Sequence, residues 1–176
     1  MAVATSTTTG AITFSDISGF TQFTQQEGDR AALALLEQFE AIVREALPSD
    51  GRVVKLLGDG VLTFVPDAGA ALACAVAQHA LFAAAASADL PLWVRTGVHY
   101  GAPIVRGDDL IGHDVNLASR VADQALPGEI VVTAAAIEAS PVPAGVVVSE
   151  IGPVFVRGVD EPVRLFRIAA DDAVSE

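Results

Sequence analysis

Cysteine occurs once, at Cys74, so no intrachain disulfide can form. A lone thiol in an apolar stretch reads as a small buried hydrophobe and suits a reducing compartment. Positive charge is also scarce: ten lysines and arginines face twenty-two acidic residues, for a net charge of −12. That balance excludes the broad basic footprint that grips a nucleic-acid backbone, so no nucleic-acid partner is expected. It leaves room for a phosphorylated small molecule held through metal ions. The opening MAVATSTTTG lacks the basic and apolar regions of a secretory signal. One run, AGAALACAVAQHALFAAAASADL at 68–90, approaches the length of a membrane span. Gln78 and His79 interrupt it and alanine is weakly apolar, so a buried helix of a cytoplasmic domain is expected. Any sensor or membrane domain would lie outside this chain.

What is present is a packed globular chain of 176 residues, 52% of them hydrophobic. AITFSDI (11–17) alternates like a strand, and GDRAALALLEQFEAIVREAL (28–47) has helical spacing. Asp29 is the expected N-cap there, Leu33, Leu36, Phe39, Ile42 and Val43 the buried stripe, and Pro48 the stop. VVKLLGDGVLTFV (53–65) reads as a hairpin turning at Gly58-Asp59-Gly60. LWVRTGVHYGAPIVRG (92–107) reads as two strands hinged near Gly101-Ala102-Pro103. VNLASRVADQA (115–125) is a short helix, EIVVT (129–133) a strand, and GVVVSEIGPVFVRG with PVRLFRI a final hairpin. This order implies an α/β (α+β) sandwich with helices on a mostly antiparallel sheet. A single domain over 11–170 is expected, with flexible tails at 1–10 and 171–176.

Three short pieces carry chemistry. In FSDISGFT (14–21), Asp16 ends the first strand and Ser18-Gly19 open a turn into a helix. A carboxylate beside the free N–H groups of a helix start can hold a metal and a polyphosphate together; the plainer alternative is a helix cap. Asp59 is a second carboxylate, in a turn that could equally be structural. If the first strand lies beside the hairpin, the two carboxylates share one sheet edge and could bind a metal pair. In DDLIGHDVNLASR (108–120), Asn116 and Arg120 are four residues apart and share a helix face. Arginine offers a fork for phosphate oxygens, although a solvated face with Arg120 paired to Asp123 or Gln124 is the local alternative. His79, His99 and His113 lack metal-ligand spacing and read as structural or loop residues. Trp93 and Tyr100 read as packing residues. Lys55, four residues before Asp59, reads locally as its surface salt-bridge partner.

Taken together, FSDISGFT, KLLGDG and IGHDVNLASR, in this order, resemble the catalytic domain of class III nucleotidyl cyclases. The resemblance runs from about Thr13 to Ile168 and includes VRTGVHYG and GPVFVRGVDEPVRLFRI. It implies a ferredoxin-like βαββαβ core with a C-terminal strand extension, and an adenylyl cyclase that makes 3′,5′-cyclic AMP and pyrophosphate from ATP. Asp16, Asp59 and the carbonyl of Ile17 would hold two divalent cations, Mg²⁺ or Mn²⁺. Ser18, Gly19, Phe20 and Thr21 would form the phosphate turn, with Arg95 on the terminal phosphates. Arg120 would match the transition-state arginine and Asn116 the ribose-positioning asparagine. Arg157 falls where many members have lysine.

Lys55 and Asp109 match the family's adenine-reading lysine and aspartate, with Asp108 the occupant if the alignment slips by one. Adenine offers an acceptor at N1 and a donor at N6, and guanine reverses both, so this pair favours ATP over GTP. The resemblance also implies a head-to-tail homodimer with two shared sites, one chain giving the metal aspartates and the other the base readers, Asn116 and Arg120. A catalytically silent module on this fold would lack one of these groups, and a diguanylate cyclase would show a different hairpin motif.

Overall fold

A computed structural model describes residues 5–172. The strands are β1 Thr5–Thr7, β2 Gly10–Ile17, β3 Arg52–Leu56, β4 Gly60–Val65, β5 Val94–Gly101, β6 Ile104–Arg106, β7 Asp109–Ile111, β8 Ile130–Thr133, β9 Val146–Val154 and β10 Val163–Ala170. The helices are α1 Phe20–Glu27, α2 Asp29–Ala46, α3 Ala68–Ala85, α4 His113–Ala122 and α5 Ala134–Glu138. Seven strands form one sheet in the order β3-β4-β2-β5-β8-β10-β9, and β1, β6 and β7 form a second, small sheet. Within the large sheet only β5 and β8 run parallel. The run β3-β4-β2-β5 is the expected ferredoxin-like core, and β8, β10 and β9 extend it.

Alternation along β2 divides the core between the two sheet faces. Ala11 packs with Leu72 and Ala75 of α3, while its neighbour Ile12 packs with Val115 and Ala118 of α4. The α2–α3 side is completed by Phe39, Ile42 and Phe82 around Ile17, Val61 and Val94. The apolar helix α3 is therefore a core helix, with Leu72, Gln78 and Phe82 all at 2% exposure or less. Cys74 is buried in it, and burial pushes its thiol up to about 11, which leaves it unreactive.

Two glycines let α4 lie flush on β5. A Cβ at Gly97 would run into the backbone N of Ala122, and one at Gly101 into the Asp114 carboxylate. Between them, His99 Nε2 bonds Asp114 Oδ1 at 3.2 Å and Nδ1 bonds Thr133 Oγ1 at 2.9 Å. Asp114 Oδ2 also accepts from the Ala102 N–H at 2.7 Å. These contacts seat the helix that carries Asn116 and Arg120, so His99 is a sheet-face residue, as expected.

The structure corrects several boundaries. Residues 5–7, assigned to the 1–10 tail, form strand β1, which pairs with β6 from Thr5↔Arg106 to Thr7↔Ile104. All three residues are exposed, so no apolar alternation announced the strand. Gly10 already belongs to β2. At the other end Asp171 N–H donates to Gly145 O, and residues 173–176 of the expected tail lie outside the described residues. The strands flanking Gly101-Ala102-Pro103 do not pair with each other. Pro103 has no N–H for a ladder and Asp114 takes that of Ala102, so β6 leaves the main sheet and pairs with β1 and β7. Gly28, with φ 87°, is the N-cap of α2 in place of Asp29, and Leu33 is 56% exposed while Ala32 and Leu35 fill the stripe. The short α5, capped by Thr133, went unanticipated.

His79 ties α3 into the sheet. Nδ1 faces the Gly128 carbonyl at 3.3 Å, which can only accept, so Nδ1 carries the proton and Nε2 accepts from Thr96 Oγ1 at 2.8 Å. Thr96 in turn meets Ser15 Oγ at 2.9 Å. Burial is the main cause that brings the imidazole down to about 4. The folded value lies below the ordinary one near 6.5, so this contribution is complete above that pH and lost as pH falls toward 4. A gap of this size corresponds to roughly 3 kcal/mol. The difference in urea stability between wild type and His79→Gln should therefore shrink by that order between pH 7 and pH 4. An unchanged difference would show that His79 is not held neutral.

Candidate active site

The register of the central strands builds the first part of the site. On β2, Asp16 lies opposite Gly60 of β4 on one side and Arg95 of β5 on the other. A Cβ at Gly60 would sit 2.8 Å from Ser15 O and 3.1 Å from Asp16 Cβ, so glycine there lets the hairpin close onto Asp16. Ile17 N–H donates to Asp59 O at 2.9 Å, which brings the turn against the end of β2. The first strand thus lies beside the hairpin, and Asp16 and Asp59 line one cleft of about 500 Å³ with Ile17, Ser18, Gly19, Phe20, Thr21 and Arg95.

Charge in this cleft is tightly coupled. Arg95 grips Asp16 with two bonds, Nε to Oδ1 at 3.0 Å and Nη2 to Oδ2 at 2.7 Å. Expected at terminal phosphates, its guanidinium is here the counter-ion of Asp16. The carboxyl of Asp59 is raised above its usual range, first by burial and then by the Asp16 charge. Ser18 N–H donates to Trp93 O at 2.7 Å, Gly19 caps α1 with φ 73°, and no side chain caps that helix, so Asp16 is not a helix cap. The Ser18 hydroxyl oxygen is buried with no hydrogen-bond partner.

These features suit hard cations. Two neighbouring carboxylates, a buried orphan hydroxyl and free N–H groups at a helix start are oxygen-rich and anion-receptive together. Among the described residues no cluster of three or more His, Cys, Asp or Glu side chains forms a metal cage. Such a seat leaves coordination positions for substrate oxygens.

Asn116 and Arg120 do not enter this cleft. They share a separate hollow of about 260 Å³ with His113, Leu117, Arg157, Gly158 and Val159. His113, Asn116, Leu117 and Arg120 fall at i, i+3, i+4 and i+7, one face of α4, which starts two residues earlier than the spacing suggested. Arg120 Nη1 reaches Asp123 Oδ2 at 3.4 Å, the local pairing anticipated for a solvated face. Asp123 itself lines the carboxylate cleft. His113 and Asp123 were not singled out as site residues; their position beside Asn116 and Arg120 was the available signal.

The third group is Lys55 with Asp109. Lys55 Nζ lies 2.8 Å from Asp109 Oδ1 and 2.9 Å from Oδ2, and not on Asp59. Lys55 is the principal cause that holds the Asp109 carboxyl below its usual range. Asp108 offers only its main-chain carbonyl, to Arg52 Nη1 at 2.8 Å. In the structure the partner of Lys55 is therefore Asp109 and not Asp108. The pair is about 40% exposed on each side, open to a ligand.

Comparison with known proteins identifies the family. The adenylate and guanylate cyclase catalytic domain family matches residues 3–169. An uncharacterized protein of Mycobacterium tuberculosis is 34% identical over 161 residues, which is 91% of this chain and 41% of that protein. An adenylate cyclase of Streptomyces coelicolor is 33% identical over 129 residues, 73% of this chain and 33% of that enzyme. The chain thus spans about two-fifths or less of these relatives. The crystal structure of the adenylyl cyclase CyaB from P. aeruginosa superposes with a TM-score of 0.79 at 23% identity, covering 96% of this chain and 97% of that one. The guanylyl cyclase Cya2 gives 0.78 at 18% identity, with 99% and 98% covered, so the fold by itself does not separate the two substrates. The strand order, the matched span of nearly the whole chain and the curated relatives lead to one conclusion: the chain belongs to the adenylate and guanylate cyclase catalytic domain family.

Proposed function

We propose that this domain is an adenylyl cyclase, converting ATP to 3′,5′-cyclic AMP and pyrophosphate at sites shared across a twofold homodimer. The observation that carries the reading is the division of the site residues. A two-carboxylate cleft and an asparagine–arginine hollow are both present, and one chain does not bring them together. A head-to-tail partner would place the second against the first.

Asp16, Asp59 and the Ile17 carbonyl would hold two Mg²⁺ or Mn²⁺ ions. Bound there, the ions supply an activated ribose 3′-oxygen and neutralise the triphosphate. The rest falls to side chains and main chain. Gly19, Phe20 and Thr21 present N–H groups to the phosphates, while the Ser18 N–H stays on Trp93 O. Arg95 exchanges Asp16 for a terminal phosphate oxygen, and Arg157 adds a second cation. Asn116 of the other chain orients the ribose so that the 3′-oxygen faces the α-phosphorus in line with the pyrophosphate oxygen. The 3′-O–P bond forms, the bond to the α,β-bridging oxygen breaks, and the 3′-hydroxyl proton leaves to solvent. Arg120 meets the charge that grows on the α-phosphate oxygens.

Lys55 and Asp109 support ATP over GTP. Lys55 keeps N–H groups beyond those used on Asp109, and Asp109 keeps lone pairs beyond those used on Lys55, so the pair can read N1 and N6 of adenine without separating. Guanine would set donor against donor and acceptor against acceptor. Chromatography of products from ATP and GTP, each with Mg²⁺ or Mn²⁺, checks this. Cyclic AMP should dominate. Cyclic GMP in excess would overturn the base reading, and no cyclic product from a folded dimer would overturn the enzyme.

A further inference from the structure

We propose that Arg52 is a specificity-positioning residue, which fastens the β6–β7 turn so that Asp109 stays beside Lys55. The inference rests on the base reading above and adds a residue to it. On a regular strand, Arg52 and Lys55, three apart, would face opposite sides of the sheet. Between Val53 and Lys55 the β3–β4 register shifts: Val53 pairs with Thr63 and Lys55 with Leu62, so Val54 is an extra residue. Arg52 is opposite Phe64 and Lys55 opposite Leu62, two positions on one face of β4. The bulge thus turns both cations toward β7.

Each cation then holds one residue of the same turn. The Arg106–Asp109 pair closes a two-residue turn at Gly107 and Asp108, with Gly107 at φ 62°. Arg52 Nη1 donates to the Asp108 carbonyl at 2.8 Å, and Lys55 Nζ to the Asp109 carboxylate. The hairpin belongs to the small sheet and shares no strand ladder with β3. Its base is anchored by Leu110, 1% exposed, and its tip is tied to β3 by these two bonds. The Lys55–Asp109 pair, about 40% exposed, is too weak a link to set its own geometry. Arg52, bonding main chain rather than a flexible side chain, supplies the fixed reference.

Lys55 is the only lysine in the chain, which gives a readout independent of catalysis. Its acetylation rate, followed on the Lys55 peptide by mass spectrometry, and the ATP-to-GTP ratio of kcat/KM are measured in the same set of variants. Arg52→Ala should raise the Lys55 rate and lower the ratio about three- to tenfold, the scale of one charge-assisted bond at a partly exposed position. Arg52→Lys should recover much of both. Asp108→Ala should match wild type, because its carbonyl remains, and Asp109→Ala should show the largest change in each. A wild-type Lys55 rate in Arg52→Ala overturns the tether. A raised rate with an unchanged ratio overturns its role in specificity. A wild type without cyclase activity would instead count against the function on which the inference rests.

Discussion

Arg120→Ala is expected to lower kcat by about 10²–10³-fold with little change in KM for ATP, the loss typical of a group that meets charge only in the transition state. Its one bond in the free chain is 3.4 Å to Asp123, with both side chains at least 40% exposed, so its removal should leave folding untouched. Arg120→Lys should recover little, because one ammonium does not reproduce the two-pronged geometry of guanidinium. Asp16→Ala should be as inactive for a different reason: it removes an oxygen ligand and leaves Arg95 without its counter-ion. Steady-state kinetics with ATP separates these effects from instability. A threefold or smaller change for Arg120→Ala would remove it from the chemistry.

Gly97→Ala should damage stability and turnover together. The added methyl would enter the backbone of Ala122, which unlike a side chain cannot rotate away. α4 would have to lift from β5, and overpacking of this kind costs about 1–3 kcal/mol. The His99–Asp114 bond and the Ala102–Asp114 bond cross the same contact and would stretch with it. Asn116 and Arg120 ride on that helix, so kcat should fall more than nucleotide affinity. Adding Ala122→Gly should not rescue the variant, because the clash is with main-chain N and Cα. Urea midpoints and kcat of the single and double variants check this; wild-type values for Gly97→Ala would contradict the close approach.

Much of this was legible along the chain, and the exceptions have physical causes. The hairpin β3–β4 and the strand β2 announced themselves by alternation and by Gly58-Asp59-Gly60. Their adjacency made the meeting of Asp16 and Asp59 foreseeable as a condition. Strands β1 and β7, of three residues each, are too short to show a period, whereas β6 is the strand expected after the Gly101-Ala102-Pro103 hinge. The contact of Arg52 with Asp108 depends on a bulge at Val54, which leaves no mark in composition. Spacing alone makes Lys55 a local partner of Asp59; the family resemblance instead sets it with Asp109, 54 residues away, and the two side chains bond in the structure. The pairing of Arg95 with Asp16 is set by strand register and has no signal along the chain. Leu33 failed as a core residue because the buried stripe of α2 is set by where α3 and the sheet lie, and Ala32 and Leu35 face them instead.

The shared site is the claim on which the rest depends. Chains carrying Asp16→Ala and chains carrying Arg120→Ala are purified separately, shown to be inactive, then mixed and allowed to exchange subunits. A heterodimer has one site with both defects and one with neither. Cyclic AMP formation should therefore return in the mixture, approaching a quarter of the wild-type rate: about half of randomly exchanged dimers are mixed, each with one intact site. If heterodimers form and the mixture stays inactive, the two half-sites do not meet across the dimer and the assignment is wrong.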